Sequence, residues 1–114
     1  MIKRTLFEAI QQRFFKGKAI IVLGPRQVGK TTLIQELLKG KEHLFINGDD
    51  PATQQLLEEV STQQLKNIIG HHKIIFIDEA QRISNIGITL KLITDQFKEV
   101  QLLVSGSSSL EIND

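Results

Sequence analysis

The sequence predicts an α/β fold in which helices cover a parallel sheet. Short apolar runs, read as strands, lie at residues 19–23, 44–46, 73–77 and 101–105. Between these runs, apolar residues recur at helical spacing, and alternating strands and helices are typical of a parallel sheet. With 114 residues, of which 40% are hydrophobic, the chain has the size of one domain.

The first predicted element is a helix over residues 4–15. Its apolar side chains return at helical spacing, and they are Leu6, Phe7, Ile10 and Phe14. Glu8 interrupts the apolar stretch that a secretory signal peptide would need, and no apolar run approaches membrane-spanning length. We therefore expect a cytoplasmic protein without membrane contact.

The first strand leads directly into the sequence GPRQVGKT at residues 24–31. This sequence fits the pattern G-x-x-x-x-G-K-[ST] of a phosphate-binding loop, the Walker A motif. Gly24 and Gly29 let the backbone curl tightly, so that its N–H groups can surround a polyphosphate. The helix that follows adds the partial positive charge of its N-terminus. The motif therefore predicts a nucleotide-binding site.

The residue types of this loop have separate predicted roles. Lys30 is expected to reach the β- and γ-phosphates, and the Thr31 hydroxyl is expected to ligate Mg²⁺. Pro25 stiffens the loop, whereas Arg26 either contacts phosphate or faces the solvent. The predicted nucleotide-binding residues are Gly24, Pro25, Arg26, Gln27, Val28, Gly29, Lys30, Thr31 and Thr32.

Two helical segments are predicted after the second strand, at residues 51–60 and 62–69. Asp50 is a good N-cap for the first of them, because Pro51 then occupies the first helical position. Ser61 offers a capping hydroxyl to the second segment.

The third strand ends in two carboxylates, in the sequence IIFIDE at residues 74–79. This pattern looks like a Walker B strand. Asp78 is expected to hold Mg²⁺, directly or through water, and Glu79 to orient or deprotonate the water that attacks the γ-phosphate. Without the phosphate-binding loop, such a pattern would indicate only a chain that emerges into solvent or caps a helix. The loop favours the catalytic interpretation.

The fourth strand runs into the serine-rich sequence SGSSS at residues 105–109. Ligands of nucleotide-binding sheets lie at the carboxyl ends of the strands. A polar residue here, either Ser105 or Ser107, is therefore a candidate sensor of the γ-phosphate. The alternative is a flexible serine-rich turn. We place Ser107 in the predicted catalytic set, together with Lys30 and Glu79.

Charge and residue content exclude other classes of site. The chain has 14 lysines and arginines against 13 aspartates and glutamates, so charge does not indicate a nucleic-acid partner. The absence of cysteine excludes disulfides and thiolate metal sites. His43, His71 and His72 are not expected to bind metal, because adjacent residues of a strand point to opposite sides and no carboxylate pair joins them at ligand spacing.

With its motifs in this order, the sequence resembles the AAA-like ATPases of bacteria and archaea that carry a poorly characterised C-terminal domain. The resemblance rests on GPRQVGKTT at 24–32, NGDDP at 47–51, IDEAQ at 77–81 and SGSSS at 105–109. It implies a P-loop NTPase three-layer sandwich of the ASCE division, with strand order 5-1-4-3-2. It also implies ATP and Mg²⁺ as ligands, and Gln81 as a polar contact in the site.

Members of that family continue past the serine cluster into a fifth strand and the C-terminal domain. We therefore expect residues 1–114 to be an N-terminal ATPase core that lacks the fifth strand and is weakly active or inactive alone. Its expected partners are ATP or ADP and the missing C-terminal domain. The first strand would form an exposed sheet edge, which favours self-association.

The expected activity of the intact protein is Mg²⁺-dependent ATP hydrolysis. Two alternatives remain, a non-catalytic module whose interactions depend on nucleotide and a nucleic-acid-binding ATPase. A GTPase is disfavoured because no Asn-Lys-x-Asp motif occurs. A small-molecule kinase is disfavoured because Glu79 is better suited to activating water.

Overall fold

A computed structural model of the chain describes residues 2–25, 29–107 and 110. Its strands form one four-stranded sheet, and all neighbouring strands are parallel. The elements are α1 (Ile2–Gln12), β1 (Ile20–Leu23), α2 (Lys30–Leu37), β2 (Leu44–Asn47), α3 (Pro51–Leu57), α4 (Thr62–Ile69), β3 (Ile74–Asp78), a 3-10 turn (Ala80–Arg82), α5 (Ile86–Gln96) and β4 (Gln101–Gly106).

The strand order is β1-β4-β3-β2, which confirms the predicted α/β fold and the 1-4-3-2 part of the predicted order. β4 is inserted between β1 and β3, so β1, the strand that leads into the phosphate-binding loop, lies beside β4 and not beside β2. The helix α1 begins and ends earlier than the predicted range 4–15. The first helical segment after β2 ends at Leu57.

Helices cover both faces of the sheet, and each face has its own apolar core. On one face, α1 and α2 pack against side chains that include Val22, Phe76 and Leu103. On the other face, α4 and α5 pack against side chains that include Ile77 and Val104. Because both faces are covered, β3 and β4 are buried at every position, as expected for the inner strands of a parallel sheet.

Two helix starts form as their sequences predict. The Asp50 side chain accepts a hydrogen bond from the Ala52 amide at 3.0 Å, with Pro51 in the first turn. Ser61 and Gln64 form a reciprocal capping box at the start of α4. These caps fix where α3 and α4 begin.

β1 lies at an edge of the described sheet, where its hydrogen-bonded neighbour is β4. Ile21 and Leu23 are 37% and 51% exposed on this strand. Self-association through this edge stays a prediction. Among the described residues, no helix has the length and apolar character that crossing a membrane requires.

Candidate functional site

The carboxyl edge of the sheet, where β1 to β4 end, brings together most of the predicted site residues that the structure describes. In the parallel register, Val22 of β1 lies beside Ser105 of β4. Asp78 at the end of β3 lies beside Asn47 of β2. The sheet therefore places Asp78 between a polar residue of β2 and Ser105, the penultimate residue of β4.

Asp78 accepts hydrogen bonds from two other predicted site residues at this edge. The hydroxyls of Thr31 and Ser105 both donate hydrogen bonds to its Oδ1 atom, at 2.6 Å and 2.5 Å. Asp78 is 8% exposed and Ser105 is fully buried. A buried carboxylate is stable only when hydrogen bonds compensate its lost hydration, and the two hydroxyls supply them. Three oxygen-bearing side chains from α2, β3 and β4 thus converge on one point.

Lys30 occupies the first position of α2 and is 4% exposed. Its Nζ atom donates to the carbonyl oxygens of Gly24 at 2.6 Å and Pro25 at 3.1 Å. The amide of Gly24 in turn donates to the Gly106 carbonyl at 3.1 Å, which ties the start of the loop to the end of β4. The ammonium group is therefore held over the start of the phosphate-binding loop.

Gly29 is the N-cap of α2 and adopts the left-handed backbone region, with φ of 74°. This conformation favours glycine, which agrees with its place in the motif. The cap provides no side-chain hydrogen bond to the first turn of α2. Such first-turn amides need partners from outside the helix, and an anion can provide them. Arg26, Gln27 and Val28 lie outside the described residues.

Glu79 follows Asp78 and is 7% exposed. Its backbone is left-handed, with φ of 53°, which is uncommon for a residue other than glycine. The Gln81 side-chain amide donates to Oε1 of Glu79 at 2.7 Å, and Gln81 Oε1 accepts from the Ser107 backbone amide at 3.1 Å. Gln81 therefore bridges the carboxylate after β3 and the turn after β4. Backbone strain of this kind is frequent at functional sites.

Gly48, just after β2, has a role that the sequence analysis missed. Its amide donates to the Asp78 carbonyl at 2.7 Å. A Cβ atom here would collide with the Glu79 carbonyl oxygen and lie 2.6 Å from that of Asp78. Only glycine fits this close approach between two backbones. The sequence NGDD shows that a glycine is present, but the close contact of Gly48 with the backbone of Asp78 and Glu79 depends on the tertiary structure.

The two candidate sensor serines differ in their contacts. The Ser105 hydroxyl reaches Asp78, whereas the Ser107 backbone amide reaches Gln81. Ser108 and Ser109 lie outside the described residues. The family resemblance implies that Gln81 is a polar contact in the site, and Gln81 does form a hydrogen bond with Glu79. The catalytic roles of Lys30, Glu79 and Ser107 stay predictions.

The arrangement of oxygen donors suits a hard cation. Mg²⁺ is bound in proteins by a few carboxylate and hydroxyl oxygens together with phosphate and water. Thr31 and Asp78 offer such oxygens 2.6 Å apart at the start of the helix that follows the loop. The residues present therefore fit the predicted Mg²⁺ ligands.

Comparison with known proteins gives similarities over most of the chain. A family model described as "AAA domain" matches residues 16–114. An uncharacterized protein of Mycobacterium tuberculosis is 25% identical over 111 residues, which are 96% of this chain and 24% of that protein. A protein of Mycobacterium bovis matches to the same extent.

The replication factor C large subunit of Thermococcus kodakarensis is 37% identical over 76 residues. That alignment covers 63% of this chain and 15% of the replication factor subunit. The chain thus spans about a quarter of the length of the mycobacterial relatives that it matches.

Proposed function

The chain belongs to the AAA domain family, and from that premise we propose that its carboxyl edge binds ATP together with Mg²⁺. We further propose that the intact protein hydrolyses ATP at this edge. The observation that carries the proposal is the convergence of the Thr31 and Ser105 hydroxyls on one buried oxygen of Asp78. It joins the predicted Walker A and Walker B residues in one cluster.

The binding residues act on the phosphates through charge and backbone amides. Lys30 exchanges its two carbonyl partners in the loop for oxygens of the β- and γ-phosphates, which are stronger acceptors because they are ionised. The first turn of α2 donates its amides to the same anion. Mg²⁺, held by Thr31 and Asp78, would neutralise negative charge on the β- and γ-phosphates.

Hydrolysis requires a group that activates water near the γ-phosphate. Glu79 is the proposed general base, and Gln81 holds one oxygen of its carboxylate. Ser107 is the proposed sensor, because its amide contacts the same glutamine. Gln81 is thereby the proposed link between Ser107 and the Glu79 carboxylate.

The binding half of the proposal is tested by titrating ATP and Mg²⁺ into the chain in a calorimeter. Lys30→Ala is expected to weaken ATP binding by at least ~10-fold, which corresponds to about 1.4 kcal/mol, because a charged donor to phosphate is lost. Lys39→Ala is the matched control, since this exposed lysine follows the same helix. Equal affinities of the Lys30 variant and the parent would contradict the assignment of the phosphate-binding loop.

A further inference from the structure

The opposite edge of the sheet, where the strands begin, holds a second cluster of polar side chains. Glu42 lies in the loop before β2, and His71 and His72 lie in the turn between α4 and β3. One ligand-type atom from each of the three side chains lies within 4.8 Å of the others. We call these three residues the histidine cluster. It lies at the amino edge, across the sheet from Asp78.

This arrangement overturns the reason for which the sequence analysis excluded a metal site. That reason placed His71 and His72 on a strand, where their side chains would point to opposite sides. The structure places both residues before β3, which begins at Ile74. Their rings stack with centroids 4.5 Å apart and an angle of 23° between planes. The third ligand, Glu42, comes from a loop 29 residues away from His71 in sequence.

We propose that the histidine cluster binds a divalent transition-metal cation, with Zn²⁺ as the species that its chemistry fits best. Two imidazoles and one carboxylate are ligands that zinc accepts, whereas Mg²⁺ prefers oxygen ligands. Nε2 of His71 lies 2.6 Å from Oε2 of Glu42, and Nε2 of His72 lies 3.9 Å from the same oxygen.

These distances are close to those around a bound zinc ion. With metal–ligand distances of about 2.0–2.2 Å, tetrahedral ligand atoms lie roughly 3.3–3.6 Å apart. To bind zinc, Nε2 of His71 and Oε2 of Glu42 must therefore move apart by up to about 1 Å. Nε2 of His72 must move about half as far towards the same oxygen. Glu42 and His71 are 69% and 76% exposed, so small rotations of their side chains meet no packing barrier.

The orientation of His72 provides an independent argument. Its Nδ1 atom lies 3.0 Å from the Ile69 carbonyl oxygen. A carbonyl only accepts, so Nδ1 carries a proton, and the ring in its neutral form presents the Nε2 lone pair to the cluster. A histidine that ligates a metal usually donates its other N–H to a backbone carbonyl or a carboxylate in this way. The end of α4 therefore holds His72 in the tautomer that a metal ligand needs.

The contact between His71 and Glu42 supports the same conclusion. Nε2 of His71 meets a carboxylate oxygen, so a hydrogen-bonding proton lies between them. A cation can replace that proton, as happens when metal binding displaces protons from its ligands.

A cation bound to the histidine cluster would link two segments of the chain at the amino edge. A bound cation joins the loop before β2 to the turn before β3, two neighbouring strands of the sheet. Because three protein ligands leave one tetrahedral position open, water completes the coordination. Binding to the folded state alone stabilises the fold by mass action.

The test is a calorimetric titration of the chain with zinc chloride, with Mg²⁺ in excess to occupy the carboxyl edge. One zinc ion per chain is expected, with His71→Ala and His72→Ala each weakening binding by at least ~10-fold. His43→Ala is the matched control, because His43 is the remaining histidine and follows Glu42 directly in sequence. This variant is expected to bind zinc as the parent does.

Several outcomes would overturn the proposal. These are the absence of zinc binding by the parent, equal binding by the parent and both cluster variants, and equal weakening by His43→Ala. Because His72 is partly buried, Glu42→Gln provides an exposed variant if His72→Ala does not fold. Light scattering during the titration excludes binding between copies, since zinc that binds only when the chain associates would also contradict a site within one chain.

Discussion

The two edges of the sheet carry polar clusters of opposite character. At the carboxyl edge, Lys30, Asp78 and Glu79 are each less than a tenth exposed. At the amino edge, the Glu42 and His71 side chains are more than two-thirds exposed. Both clusters join residues that are distant in sequence, but only the first is built into the interior of the fold.

The difference shows how burial prepares a site before its ligand arrives. A buried polar group must find a partner, and at the carboxyl edge other groups of the chain provide partners for Lys30 and Asp78. Exposed side chains keep their rotamer freedom, and a cation at the amino edge must order them at a cost in entropy. We therefore expect single substitutions to have large effects at the carboxyl edge and small effects at the amino edge.

The largest effect is expected from Glu79→Gln in the intact protein. The glutamine keeps the size of the side chain but removes the proposed base, so ATP hydrolysis should slow by ~10²-fold or more. ATP binding should change little, because the lost group acts on water rather than on the phosphates. Steady-state phosphate release and a calorimetric ATP titration measure the two quantities separately.

The same substitution at the amino edge provides the control. Glu99→Gln removes an exposed carboxylate that pairs with Lys73 at 3.3 Å, and it should leave hydrolysis unchanged. Normal turnover by the Glu79 variant would show that another residue activates the water. ATP binding by the intact parent without any turnover would instead favour the non-catalytic interaction module.

A smaller effect is expected from Gly48→Ala at the carboxyl edge. The added methyl group collides with backbone carbonyls of Asp78 and Glu79, which cannot rotate away as a side chain does. We expect a loss of about 1–3 kcal/mol in the free energy of unfolding, together with weaker binding of ATP and Mg²⁺. Chemical denaturation and calorimetry measure these changes.

Gly40→Ala is the matched variant on the amino side, after α2. Gly40 has φ of 82°, and nothing lies within 4 Å of an added Cβ atom. Its substitution should cost about 1–2 kcal/mol through backbone strain alone and leave ATP affinity unchanged. If both glycine variants weakened ATP binding equally, the close approach at Gly48 would not be what positions Asp78.

The local motifs of the sequence were sufficient to predict the family and the α/β fold, and they also indicate candidate site residues whose roles stay predictions. Spacing within the loop indicates Lys30 and Thr31, and the apolar run before Asp78 indicates a buried strand. These signals are readable because each depends on neighbours in sequence. The match to the AAA domain family and the observed sheet confirm the family and the α/β fold.

Contacts between distant segments were not readable in this way. Ser105 meets Asp78 because of the register between β3 and β4, and Gly48 meets the same strand end from β2. The histidine cluster was missed for a related reason. Strand geometry was applied to two histidines that lie in the turn before β3, and their carboxylate partner lies in another loop.

The smallest effect is expected from Glu42→Gln in the metal-free protein. His71 lowers the pKa of Glu42, so the folded state favours the ionised carboxylate. A group with a lowered pKa stabilises the fold above its ordinary pKa, and this contribution disappears as pH falls through the lowered value. The parent should therefore exceed the variant slightly in stability at pH 6 and lose that margin towards pH 3.

Because both side chains are exposed, the margin should be no more than about 1 °C in the thermal midpoint, and 0.5 M salt should reduce it. Thermal unfolding of the parent, Glu42→Gln and the exposed control Glu59→Gln, all with chelator present, measures the difference. A margin that grows as pH falls would contradict the assigned direction of the shift. A margin of many degrees would show that the amino edge is as strongly organised as the carboxyl edge, and the contrast between the two edges would then fail.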